Sequence, residues 1–168
     1  DIFILGFKCE EDWENEITNS LLDSFMSTIV RGELEVNVNG LEINKGTVKE
    51  IIYNDNIIYK ANKSNVISQF RLLNNENNEV YAYDIDTEYG NCELYILPFS
   101  KEEEELATHK CVMIRHPLMK IKEEPLGASF RVSAMCIIGE GKLGQTLRSI
   151  ENPQHIDWEP KSIKDKNI

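Results

Sequence analysis

Phe130–Pro160 reads FRVSAMCIIGEGKLGQTLRSIENPQHIDWEP. Phe130 to Ile138 has the length and apolar run of a buried strand. Gly139 and Gly141 loosen the chain, and Leu143 to Ile150 carries a short helix that Pro153 stops. A polar segment, Asn152-Pro153-Gln154-His155-Ile156-Asp157-Trp158, follows. The chain before this stretch reads as the sheet and long helix that hold it in place.

Working back from it, Cys111 to Ile114 and Leu118 to Ile121 flank Arg115-His116-Pro117, the pattern of strand, tight turn and strand. Val80 to Asp86 and Glu93 to Phe99 form another strand pair through Tyr89-Gly90-Asn91, and Pro98 marks an edge or a strand exit. Lys101 to Glu105 is a solvated charge run. Near the start, Trp13, Ile17, Leu21, Phe25 and Ile29 recur at spacing four, with Leu22, Met26 and Val30 widening the stripe. Glu10, Glu11, Asp12 and Glu14 suit the positive end of that helix, and Gly32 suits its C-cap. Leu34, Val36 and Val38 alternate with polar residues, Asn39-Gly40 signals a turn, and Leu41 to Ile43 returns. Thr47 to Ile52 forms a short helix. Ile2 to Phe7 forms a short buried strand. Residues 54–79 are the least legible span, with an exposed Asn74–Asn78 turn and a helical turn or two at Val66 to Leu73. They read as an insertion or a partner-facing excursion.

These elements predict an α+β fold: a mixed, largely antiparallel sheet with one long amphipathic helix and a short C-terminal helix. Residues 1–160 form one domain and 161–168 a basic tail. At 168 residues, 41% hydrophobic and 28% charged, the chain has the composition of one globular domain with a real core. No apolar run approaches the roughly 20 residues that span a bilayer, so no membrane association is expected. The chain begins at Asp1 and reads as a piece of a longer protein that starts inside a strand.

The net charge of −11 argues against nucleic-acid binding by this segment, because such binding draws on neutralised phosphates. Only Lys161, Lys164 and Lys166 are locally basic. Cys9, Cys92, Cys111 and Cys136 form no C-x-x-C pair and read as reduced buried thiols of a cytoplasmic protein. His109 and Cys111 lack the second ligand pair of a zinc site, so no metal is expected. Gly139-Glu140-Gly141-Lys142-Leu143-Gly144 spells G-x-G-x-x-G, yet no second strand follows to complete the roughly 30-residue βαβ unit that a dinucleotide fold requires. It reads as a turn. The histidines have no Ser or Cys nucleophile beside them in sequence. Four residues remain as anion-facing candidates: Arg115 at a strand end, Lys120 beyond the same turn, Arg148 with Glu151 three residues on, and His155 after the helix stop.

Three segments together resemble one family. DIFILGFKCEEDWENEITNSLLDSFMSTIVRGELEV is similar to the segment that follows the ATP-binding domain in bacterial GHKL-class ATPases (gyrase, heat-shock chaperone, histidine kinase, MutL). CVMIRHPLMKI resembles their strand-Arg-turn-Met-x-Ile hairpin. LRSIENPQHIDWEP resembles their L-R-x-x-E-x-P-x-H-x-x-W segment, placed like the P-x-H-N-K segment of microrchidia ATPases. The resemblance implies a second, transducer domain of the ribosomal-protein-S-five kind, coupling ATP binding and hydrolysis in an adjacent domain to dimer closure. It implies no catalysis and no cofactor for this segment alone, with ATP and Mg in the parent protein. Its partners would be the adjacent ATP-binding domain of the same chain and a second copy in a homodimer. Phage defence and DNA maintenance are the contexts it suggests. Arg115 and Lys120 are its phosphate-sensing candidates; Arg148, His155 and Trp158 are its domain-junction candidates. Leu118 stands where the family's hairpin has Gly, and Asp157 near where relatives place a Lys. The alternative is a stand-alone acidic protein-interaction module, whose partner surface would be basic.

Overall fold

The computed structural model describes residues 11–75, 79–127 and 129–159. The strand expected at Ile2 to Phe7, the basic tail 161–168 and Glu76–Asn78 of the asparagine-rich turn lie outside them. The described chain is α+β, with a five-stranded mixed sheet, a separate two-stranded hairpin and helices. Among the described residues no helix is long and apolar enough to cross a membrane.

Helix α1 spans Trp13–Arg31. It stops at Gly32, which adopts φ 78° in the left-handed cap that a side chain would strain; the Gly32 N–H donates to the Ile29 carbonyl and the Glu33 N–H to the Thr28 carbonyl. The spacing-four stripe locates this helix but not its buried face. Leu22, Met26 and Ile29 are buried together with the small polar residues Thr18, Asn19 and Ser27, whereas Ile17 is 38% exposed. Trp13, Leu21 and Phe25 pack along the margin. Phe25 departs from helical geometry, at φ −126° and ψ 17°, and the resulting kink re-aims the turns around it. Asn19 is matched on both sides: it donates to the Ile57 carbonyl at 2.7 Å and accepts from the Tyr59 N–H at 3.0 Å, whereas the Thr18 hydroxyl is buried without a hydrogen-bond partner.

Strands β1 (Val36–Val38) and β2 (Leu41–Ile43) form the expected hairpin about Asn39-Gly40. Helix α2 (Val48–Ile52) follows. The span 54–79 departs most from its sequence reading. It contributes α3, Lys60–Asn74, a helix of 15 residues. Val66, Ile67, Phe70 and Leu72 are buried, the first three against α1 and the last against the sheet. Buried Ser68 and Gln69 interrupt the apolar periodicity of this helix. Ser68 donates to the Leu106 carbonyl, and Gln69 to the Asp23 carbonyl.

The main sheet contains β3 (Tyr81–Thr87), β4 (Gly90–Pro98), β5 (Lys110–Arg115), β6 (Met119–Pro125) and β7 (Val132–Ile138), in the order β3-β4-β7-β5-β6. β5 and β7 run parallel; every other pairing is antiparallel. Pro98 therefore marks the exit of an interior strand. The solvated run at Lys101 to Glu105 leads into a single 3-10 turn, Glu104–Leu106. One sheet face buries Leu97, Val112, Ile114, Met135 and Ile137 under Leu72 of α3. Helix α4 (Lys142–Ser149) follows β7.

Leu22→Ala should lower unfolding free energy in a urea titration by about 2–5 kcal/mol, the cost of a large-to-small change at a sealed site. Ile17→Ala, at an equally regular position in the sequence stripe, should cost less than about 1 kcal/mol.

Candidate functional site

β5 and β7 run in the same direction, so their C-terminal ends share one end of the sheet. Arg115 lies opposite Ile138, and the His116 N–H donates to the Ile138 carbonyl at 3.2 Å. The β5–β6 turn, with a cis His116–Pro117 bond and Leu118 at φ 67°, thus meets the glycine loop after β7. In parallel α/β arrangements such strand ends are where ligand crevices form.

Arg115 is the centre of this end. Its Nε and Nη2 donate to the two oxygens of Glu151 at 2.6 and 2.8 Å, and its Nη1 donates to the His116 carbonyl at 2.8 Å. Both side chains are withdrawn from water, Arg115 at 7% and Glu151 at 1% exposure. The planar fork matches the carboxylate at both nitrogens, the geometry in which a buried pair recovers most of its desolvation cost. Burial pushes the Glu151 carboxyl upward, but hydrogen bonds from Arg115 and His155, with their charges, outweigh it and hold the group below its ordinary value.

Glu151 also anchors the segment after α4. It bridges to Trp158, and the Asn152 N–H donates to the Asp157 carbonyl at 3.0 Å. The Asn152 side chain caps the Ile156 N–H at 2.9 Å. His155 stands 3.0 Å from Glu151 Oε1 through Nδ1. Lys122 of β6 reaches Asp157 at 3.0 Å and lies 5.7 Å from the centre of a Trp158 ring. The tail is therefore a closed loop pinned to β5 through Arg115 and to β6 through Lys122. Asp157 spends its charge on Lys122, which lowers its carboxyl below the ordinary range. The Trp158 Nε1 is buried without a hydrogen-bond partner.

Beside this framework is a cavity of about 180 Å³ between the β5–β6 turn, the glycine loop and α4, with Arg148 at its wall. Arg148 is exposed and donates to the His116 carbonyl at 3.0 Å, the same oxygen that Arg115 uses. Its expected partner, Glu151, is taken by Arg115, and Arg148 forms no ion pair among the described residues. At the rim, His116 and Glu140 approach to 3.0 Å. The glycines of GEGKLG are packing residues. A Cβ on Gly139 would overlap the Asn91 side chain, and one on Gly144 would overlap the Gly139 carbonyl. The Leu143 N–H already donates to the Tyr89 carbonyl. The loop is a tight turn, as its sequence context implies.

Lys120 lies elsewhere. It is paired with Ile114, one residue from Arg115, and alternation puts it on the opposite face of the sheet. There it binds Asp23 of α1 and Glu123 of its own strand. Asn65 of α3 donates to the same two carboxylates. The sheet thus separates the two phosphate-sensing candidates, while Arg115, Arg148, His155 and Trp158 converge. Glu151, the acid of the L-R-x-x-E-x-P-x-H-x-x-W segment, and the His116 carbonyl join them; neither is among the candidates that the sequence singles out.

Comparison with protein-family models, curated proteins and solved structures finds no match. The chemistry of the site therefore rests on its geometry. The three histidine rings turn to three separate partners: His109 to the Phe130 carbonyl, His116 to Glu140 and His155 to Glu151. Burial pushes the Cys111 thiol up to about 11 and, with Cys92 adjacent, the Cys136 thiol up to about 12, so neither supplies a thiolate near neutrality. No group of three or more metal-ligating side chains occurs among the described residues. The arrangement is suited to holding the turn, the tail and one unpaired guanidinium in fixed relation.

Glu151→Ala, which strands Arg115 in a dry site, should cost about 3–5 kcal/mol in denaturant unfolding. The depressed carboxyl gives a definite sign with pH. Its stabilisation is fully present above the unfolded-state glutamate value and is lost as pH falls through the lower folded value. Glu151→Gln should therefore be less stable than the parent at neutral pH, and the difference should shrink steadily on acidification.

Proposed function

We propose that this chain is the transducer domain of a GHKL-type ATPase, and that Arg148 is the cation it presents to a neighbouring nucleotide-binding domain. The observation that carries the reading is the shared His116 carbonyl, which fixes Arg148 beside the buried Arg115–Glu151 pair at one end of the sheet. Arg115 and Lys120 are each neutralised by carboxylates in place. Arg148 keeps an uncompensated charge, so it has the better claim to a phosphate. A guanidinium facing a terminal phosphate distinguishes the triphosphate from the diphosphate by charge. ATP and its Mg ion would belong to the neighbouring domain, and dimer closure would be the motion coupled to nucleotide state.

The turn that holds Arg148 is tied to both faces of the sheet. On one face Arg115 joins it to the tail through Glu151. On the other, the Leu118 carbonyl accepts from Thr28 Oγ1 of α1 at 3.1 Å, and Lys120 binds Asp23. A displacement of the turn would therefore move α1 and the tail together, which is the property a coupling domain needs. Leu118, standing where the family's hairpin has Gly, occupies the left-handed region that glycine favours.

In the full-length product of the gene, Arg148→Ala should lower ATP turnover by about tenfold or more, with Arg148→Lys intermediate, as expected for a lost transition-state charge. A full-length product that neither binds nor hydrolyses ATP, or turnover unchanged in Arg148→Ala, rejects the assignment.

A further inference from the structure

The edge of the sheet opposite β6 is built differently from the rest of the molecule. All seven residues of β3 are exposed on both faces. Among the described residues the strand pairs only with β4, in unbroken register from Tyr81↔Ile96 to Thr87↔Gly90. Every second backbone N–H and C=O along it therefore points away from the sheet. Charged side chains blunt natural edges, and β3 carries Asp84 and Asp86, but the commonest devices are a lysine, a proline or a bulge. YAYDIDT contains neither residue, and no bulge interrupts this pairing.

The two faces of β3 differ sharply. Tyr81, Tyr83 and Ile85 stand on one, 59%, 52% and 38% exposed, beside Ile96, Leu94 and Cys92 of β4. Asp84 and Asp86 stand on the other, beside Glu93 and Asn91. Glu93 is engaged by Arg31 at 2.8 Å, but neither aspartate forms an ion pair among the described residues. A strand added here would meet an apolar stripe on one side and uncompensated negative charge on the other.

We infer that β3 is a docking edge for an extended segment of another protein in which apolar and basic residues alternate. Main-chain hydrogen bonds would supply the pairing, and the alternation would supply register and selectivity. A second copy fits poorly. Two-fold antiparallel pairing centred on Asp84 or Ile85 sets aspartate against aspartate, and centring it on Tyr83 shortens the ladder to Tyr81–Ile85. This edge is separate from the Arg115–Arg148 end and does not depend on the nucleotide reading.

The probe is a fluorescein-labelled heptapeptide alternating lysine with valine, titrated with the full chain at low and physiological salt. A glutamate–valine heptapeptide and an N-methylated lysine–valine heptapeptide are the controls. The lysine–valine peptide should bind at least about tenfold more tightly than either control. Asp84→Lys combined with Asp86→Lys, at exposed positions that leave the core intact, should invert the charge preference. Hydrogen exchange should show the outward β3 amides open in the free chain and slowed on peptide addition. Equal binding of both charge types, or undiminished binding of the N-methylated peptide, overturns the proposal. So does a concentration-dependent dimer that the double substitution alters, because the occupant is then a second copy. Outward amides already protected in the monomeric free chain overturn it as well, by showing that the chain fills its own edge.

Discussion

β7 sets the constraint on which the sheet depends. Its residues are buried or half-buried on both faces, and it is hydrogen-bonded antiparallel to β4 on one side and parallel to β5 on the other. The hairpin β5–β6 places β6 outside β5, so the chain must cross from Pro125 over β5 before β7 can pair with it. This crossing makes β5 and β7 parallel. Parallel neighbours finish at the same end, and the His116 turn and the Gly139 loop therefore meet. Glycine is needed where they pack because Asn91 and the loop's own backbone leave no room for a Cβ.

Within that frame the buried Arg115–Glu151 pair decides how the C-terminal segment is held. The charge pattern of the chain gives the pair its significance. In a protein of net charge −11 many of the described cations are claimed by acids. Arg31 binds Glu93, Arg71 binds Glu79 and Glu103, Lys110 binds Glu123, and Lys122 binds Glu124 and Asp157. Most of these pairs are partly exposed and contribute modestly to stability. Arg115–Glu151 is dry and bidentate, and its formation is what leaves Arg148 without its sequence neighbour as a partner. One long-range pairing thus both locks the tail and frees a guanidinium beside the cavity.

Local signals in the sequence located most elements. The stripe from Trp13 to Ile29 marks α1, Asn39-Gly40 marks the first hairpin, and the apolar runs flanking Arg115-His116-Pro117 mark β5 and β6. Where local reading failed, buried polar groups were responsible. In α3, Ser68 and Gln69 are sealed in the core by hydrogen bonds to backbone carbonyls, so periodicity that counts only apolar residues sees a turn or two instead of a full helix. In α1, Asn19 and Ser27 occupy the buried face while Ile17 looks outward, because the neighbours of the helix offer hydrogen-bond partners there.

The candidate site divides in the same way. Arg115, Arg148 and His155 could be singled out by residue type and by their place beside a turn or helix stop, and Trp158 by the family resemblance. Their convergence could not, because it depends on the crossing of β5 and on a contact between residues 36 positions apart. Lys120 looked equivalent to Arg115, being a cation on the same hairpin, yet strand alternation sends the two to opposite faces. By itself the sequence determined the α+β class, most element boundaries and the excess of negative charge, since propensity, period and composition are properties of short stretches. Only the tertiary structure decided which face of each element is buried, which cations meet a carboxylate and that Arg148 does not meet Glu151, since ion pairing and burial depend on distances that the order of residues does not contain.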